Sequence, residues 1–192
     1  MKTPDVTKIR KAMEKTLDGK RYEHTEGVAY TAAALAMRYG EDMENALLAG
    51  LLHDCAKCMS DEKKLAICKK HNIPVSEVEE RNLSLLHAKA GAYLAEEEYH
   101  VRDRNILNAI AHHTTGRPGM STLEKIIFIA DYIEPNRKQA PNLVEIRSMA
   151  FVDLDKALLR ILEDTLQYLQ EGPGEIDNMT RDTYDYYIDD HK

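Results

Sequence analysis

Two places in the sequence put carboxylates where they are expensive to keep. His53 and Asp54 follow the apolar run Ala46-Leu47-Leu48-Ala49-Gly50-Leu51-Leu52, and Asp131 follows Ile126-Ile127-Phe128-Ile129-Ala130. An ionised carboxylate taken out of water must be paired or bind a metal. No Lys or Arg stands at helical spacing on the same buried faces; Lys57, three residues after Asp54, is the nearest and can equally reach water. Histidines at helix-like positions, His24, His87, His112 and His113, can complete a cation site with the two acids. Such a mixed nitrogen and oxygen set suits iron, manganese or zinc better than it suits a thiolate zinc site. A lone helical His is usually structural or solvated, so the weight lies in the ensemble. His71, His100 and His191 read as solvated, and the Cys55-x-x-Cys58 pair has no second pair to make a zinc site, so Cys55 reads as core.

Two further stretches bear on anions. His113-Thr114-Thr115-Gly116-Arg117-Pro118-Gly119 is in the first place a helix stop made of turn residues. Its two hydroxyls, Gly-freed backbone N–H groups and one guanidinium can also wrap a phosphate. Arg137 and Lys138 come just past the segment that carries Asp131 and can reach a phosphate held there. Cations near a helix C-terminus are favoured in any case.

Helices must carry these residues, because apolar residues recur at helical spacing along nearly the whole chain. Ile9, Met13 and Leu17 mark a first short helix, broken at Gly19. A second is expected from Tyr22 to Tyr39 with Gly40 as its cap, and a third, capped by Asp42, from Met43 to about Lys57. A polar segment from Asp61 to His71 ends at Asn72-Ile73-Pro74, and Ser76 starts a short turn. Further helices are expected over Leu85 to Tyr99, Asp103 to His113, and from the Ser121 capping box to Pro135. A Pro- and Asn-rich loop precedes the amphipathic helix Asp153 to Gln170, which Gly172-Pro173-Gly174 ends. A short helix or tail over 175–192 carries Tyr184, Tyr186 and Tyr187.

Composition agrees with a single all-α domain over 1–192, its core about 20–170. At 192 residues and 43% hydrophobic, the chain can bury a proper core without staples. Gly and Pro total only 9 + 6 = 15, few breakers for a turn-rich β fold. The net charge, 26 − 33 = −7, speaks against a generic nucleic-acid binder. No apolar run approaches the roughly 18–20 residues of a membrane span, and the polar N-terminus has no signal-peptide core. Three cysteines are too few for a disulfide framework and fit a reduced, cytoplasmic setting.

The ordered set His24, His53-Asp54 and Asp131 resembles the H…HD…D signature of the HD-domain metal-dependent phosphohydrolases, a superfamily of all-helical bundles. His87 and His113 resemble the added ligands of its two-metal versions. A narrower likeness is to the YqeK family of symmetrical dinucleoside tetraphosphate hydrolases. It is carried by LLHDCAK (51–57), LLHAKAGA (85–92), AIAHHTTGRPGMSTLEKIIFIADYIEPNR (109–137) and MAFVDLDKAL (149–158), and runs from about Lys20 to Leu169. The resemblance implies a first metal on His24, His53, Asp54 and Asp131, and a second on Asp54, His87 and His113, with Asp54 bridging. His113 is preferred to His112 because the family block H-T-T-G-R starts there. Lys57, Thr114, Thr115, Gly116, Arg117, Tyr132 and Arg137 would line the phosphate and nucleotide side, with Asp54, Lys57 and Arg117 taking part in catalysis. Lys89 departs from the pattern and reads as solvent-facing.

The resemblance further implies cleavage of diadenosine tetraphosphate into two ADP with two divalent ions, iron by the family's habit, manganese or zinc being compatible with the same donors. Paired cations generate hydroxide near neutral pH for in-line attack on phosphorus, while nearby cationic side chains offset the charge that develops. The residues alone support only metal-assisted hydrolysis of a phosphorylated small molecule. The alternative is another HD-type nucleotide phosphohydrolase, acting on a mononucleotide, a triphosphate or a cyclic dinucleotide; HHTTGRPG lacks the Tyr of the GYP signature found in the last group. A nucleotide is the expected partner, with neither nucleic acid nor membrane, and a homodimer is compatible.

Overall fold

A computed structural model describes residues 4–172 and 175–189. Short polar side chains set where its helices begin. Asp5, Asp18, Asp42, Asp103 and Asp153 each accept a hydrogen bond from a first-turn backbone N–H. They open α1 (Val6–Thr16), α2 (Gly19–Tyr39), α3 (Met43–Leu52), α7 (Arg104–Ala111) and α10 (Leu154–Glu171). Ser76 and Ser121 build complete capping boxes at α5 (Glu77–Arg81) and α8 (Thr122–Ile133). The remaining helices are α4 (Asp61–Lys70), α6 (His87–Glu97), α9 (Leu143–Ala150) and α11 (Asn178–Asp189), with a 3-10 turn over Leu83–Leu86. No strand occurs among the described residues.

Several boundaries differ from the sequence expectation, each for a local reason. Gly19 does not break the pattern but begins α2, because the Asp18 side chain caps it. The third helix stops at Leu52, and residues 53–59 form consecutive turns. The expected Leu85 to Tyr99 helix is a 3-10 turn followed by α6 at His87, and α7 ends at Ala111, so His112 and His113 lie in turns. The Pro- and Asn-rich loop hides α9, whose eight residues are too few for a clear periodicity. Gly172 caps α10, while Pro173, Gly174 and His191 lie outside the described residues.

α3 and α8 are apolar nearly all round because other helices cover them on several sides. α3 packs against α1, α2, α6, α7 and α8, and α8 against α2, α3, α7, α9 and α10. Leu51, Leu52, Ile126, Ile127 and Ile129 are fully buried there. At the α2–α3 crossing Gly50 is required: a Cβ on it would stand 2.6 Å from Cα of Ala29. No helix among the described residues is long and apolar enough to cross a membrane.

Polar contacts help to fasten two pieces of the periphery. Lys89 does not face solvent: its ammonium donates to Glu79 Oε2 at 2.7 Å and to the Pro74 carbonyl at 2.8 Å, fastening α5 to α6. The Tyr-rich segment is helix α11, and Tyr187 turns inward, where its hydroxyl accepts the Met120 N–H at 2.7 Å. Thr183, fully buried on the same helix, packs so tightly against Gly116 that a Cβ there would stand 2.8 Å from the Thr183 methyl. Tyr187→Phe leaves that buried N–H without a partner, so it should lower the unfolding free energy by about 1–3 kcal/mol; a denaturant titration monitored by circular dichroism measures it.

Candidate metal centre

Six side chains from five helices or the turns beside them meet at one end of the bundle. His24 lies in the first half of α2, His53 and Asp54 just past α3, His87 at the start of α6, His113 just past α7 and Asp131 in the last turn of α8. The early end of α3 matters here. Adjacent residues on a helix diverge by about 100°, yet Nε2 of His53 and Oδ2 of Asp54 come within 3.6 Å at this helix end.

Three of the four imidazoles are aimed in the same way. His53, His87 and His113 use Nδ1 to bond the carbonyl three residues earlier, on Gly50, Ser84 and Ile110, at 2.7, 2.6 and 2.7 Å. That leaves Nε2 facing inward. Asp54, only 2% exposed, sits between the rings. Its Oδ2 is 3.6 Å from Nε2 of His53 and 3.9 Å from Nε2 of His24; its Oδ1 is 3.3 Å from Nε2 of His87 and 3.7 Å from Nε2 of His113. Asp131 Oδ1 is 3.0 Å from Nε2 of His24.

The arrangement fits cations. Nε2 of His24, Nε2 of His53 and Oδ1 of Asp54 are buried without a well-formed hydrogen bond. Leaving such atoms unmatched is costly, and their convergence calls for a ligand. Among the described residues, the donor groups close enough to share an ion are His24, His53 and Asp131, and His53, Asp54 and His113, with atoms within 4.8 Å of one another. No cysteine joins them: Cys55 is buried against the Gly91 carbonyl and Cys58 is exposed.

At four of the six groups electrostatics favours the protonation state that a metal ligand needs. Burial pushes His53 down to about 4 and also lowers His87. Burial would raise Asp54 and Asp131, but the surrounding imidazoles hold both carboxyls well below the usual range. His24 and His113 run the other way: burial lowers them, and bonds to Asp131 and Asp54 more than compensate. A bound cation reverses that last effect by competing for the same lone pairs.

Lys57, three residues after Asp54, does turn toward the centre, and the structure adds a directly bonded guanidinium to each acid. Arg21, three residues before His24 on α2, donates to Asp54 Oδ2 at 2.8 Å, and Arg137 donates to Oδ1 and the carbonyl of Asp131 at 3.1 and 2.9 Å. Asp131 is also not fully buried, its side chain being 23% exposed. The i, i+3 spacing of Arg21 and His24 is the available signal for Arg21. Glu134, buried and bonded to Nδ1 of His24 at 3.2 Å, has none, because its partner lies 110 residues away.

The expected phosphate side divides. Lys57 reaches the centre, its ammonium 3.3 Å from Nε2 of His87, with its pKa lowered by burial. Thr114, Thr115, Tyr132 and Arg137 line a cavity of about 470 Å³, together with Tyr168 and Leu169. Arg117 and Gly116 are not among its lining residues. The Arg117 guanidinium is committed to the buried Glu124 through two bonds of 2.6 and 2.8 Å, and Gly116 makes a left-handed turn against Thr183. His112 caps α7 and faces a different cavity, beside Lys89 and Glu79.

A family model described as HD domain matches residues 21–136. The chain belongs to the HD-domain family. HD-domain membership implies dependence on a divalent metal, and the donor cluster accords with it. The chain is 40% identical over 176 residues to a Bacillus subtilis protein named "Bis(5'-nucleosyl)-tetraphosphatase, symmetrical", covering 92% of this chain and 94% of that one. A Halalkalibacterium halodurans protein of the same name is 41% identical over 90% of this chain and 91% of its own. A crystal structure from Clostridium acetobutylicum, of a predicted HD superfamily hydrolase involved in NAD metabolism, superposes with a TM-score of 0.93 at 42% identity, covering 97% of this chain and 98% of that one.

Arg117→Ala would strip a buried carboxylate of its cation. It should cost about 1–3 kcal/mol of stability in a denaturant titration, while metal uptake, measured by elemental analysis after dialysis, stays at the wild-type level.

Proposed function

We propose that the chain hydrolyses dinucleoside tetraphosphates symmetrically, diadenosine tetraphosphate giving two ADP. The observation that carries the reading is Asp54, placed with one oxygen toward His24 and His53 and the other toward His87 and His113. His24, His53, Asp54 and Asp131 would hold one divalent ion, and Asp54, His87 and His113 a second; iron, manganese and zinc all suit these donors. When bound, such ions supply Lewis acidity and acidify water for attack on phosphorus.

The chain's own groups do the remaining work. Lys57, Arg137 and Arg21 bring three cations to the rim of the centre, where a polyphosphate has charge to neutralise. The adjoining cavity pairs Thr114 and Thr115 with apolar Leu169 and the rings of Tyr132 and Tyr168, a lining that suits a nucleoside beside its phosphates. Close relatives named for the symmetrical reaction along nearly their whole lengths support the choice of substrate.

Mass-resolved products decide the reaction. Purified protein with a divalent metal should convert diadenosine tetraphosphate to ADP alone; AMP with ATP, or faster turnover of mononucleotides, would overturn the assignment. Chelation should reduce the rate to background and added metal restore it, and Asp54→Asn should stay at background with its helical circular dichroism preserved. Lys57→Ala should lower kcat/KM by about tenfold or more, since a hydrogen bond to a charged group contributes about 1.5–3 kcal/mol; steady-state kinetics reads the change.

A further inference from the structure

Three of the four inward histidines orient themselves with local backbone, and the fourth cannot. His53, His87 and His113 stand at helix ends, where carbonyls three residues back accept their Nδ1–H groups. His24 lies inside α2, where the preceding carbonyls belong to the helix's own hydrogen bonds. Its Nδ1 instead faces Glu134 Oε1 at 3.2 Å.

Glu134 is built into this position. It is 2% exposed and caps α8, three residues after Asp131. Its other oxygen, Oε2, accepts the Asn136 N–H at 2.6 Å. Its carbonyl accepts from Arg147 at 2.7 Å, which fixes the turn behind it. Room for the carboxylate comes from α2 itself: Gly27, three residues after His24, is where a Cβ would overlap Glu134 Oε2. The chain thus keeps a glycine inside a helix, at a typical cost of about 1 kcal/mol relative to Ala, on the face where a buried acid approaches His24.

We propose that Glu134 is the positioning residue for His24, accepting its Nδ1–H so that Nε2 presents a lone pair to the metal shared with Asp131, and that Gly27 is its required neighbour. The inference rests on the metal centre proposed above. One segment then sets two ligands of the same ion, Asp131 directly and His24 through Glu134. A carboxylate behind a ligating imidazole fixes its tautomer and raises its basicity, and loss of such a partner typically weakens metal binding by about 10–100-fold.

The test uses Mn²⁺ alone, titrated calorimetrically into the metal-free full chain, so it does not depend on the nucleotide reaction. Glu134→Gln keeps the shape and removes the carboxylate. It should weaken one Mn²⁺ site by about 10–100-fold and affect the site of His87 and His113 less. Gly27→Ala should show the same selective loss. In a His24→Ala background, Glu134→Gln should add no further loss, because the group it acts through is gone. Should Glu134→Gln fail to fold, Glu134→Asp, whose carboxylate falls short of His24, is titrated with the same expectation. Wild-type affinity at both sites in a folded Glu134 variant would overturn the proposal, as would an undiminished extra loss in the His24→Ala background. Wild-type chain that binds no Mn²⁺ would overturn the metal centre itself, a result that product analysis does not share.

Discussion

The structure is organised around one carboxylate that has no business being dry. Asp54 lies at the end of the most apolar stretch of the chain, almost without solvent contact, ringed by four imidazoles and one guanidinium. Replacing its hydration requires polar atoms from several directions at once. Helix ends can supply them, because a side chain at an end can point along the axis as well as away from it. α3, α6, α7 and α8 all end or begin within reach of this acid, and only α2 passes it in mid-course.

That geometry explains why α3 and α8 tolerate such hydrophobic sequences. Each is surrounded by other helices along most of its length, with polar residues confined to its first turn and to the end that arrives at the centre. The surrounding charges are likewise local. The chain carries a net −7, yet Arg21, Lys57 and Arg137 gather around the donor cluster. Net charge says little about a pocket of this size.

Much of this is legible in the residues and some is not, and the division follows range. The caps at Asp42 and Ser121 and the left-handed Gly40 are short-range chemistry, and they fall where the sequence puts them. His53, Asp54 and Asp131 stand out because they interrupt apolar runs, whereas the choice of His113 over His112 rests on the family resemblance alone. The end of α3 is hidden because LLHDCAK continues a helical pattern, although the chain turns from His53 onward. Arg117 resembles a phosphate ligand among turn residues, but Glu124, seven residues on, claims its guanidinium. Contacts such as Arg21 with Asp54 join helices whose approach no single segment encodes.

One further contact sets an order in time. The bond between the Met120 N–H and Tyr187 spans 67 residues and lies in the segment between His113 and α8. Domains emerge from synthesis N-terminal end first. All six donors therefore leave the ribosome well before the helix that completes this connection, and through the interval the turn beside His113 lacks both the Tyr187 hydroxyl and the Thr183 methyl that pack it. Packing of that loop therefore waits on α11, the last helix among the described residues.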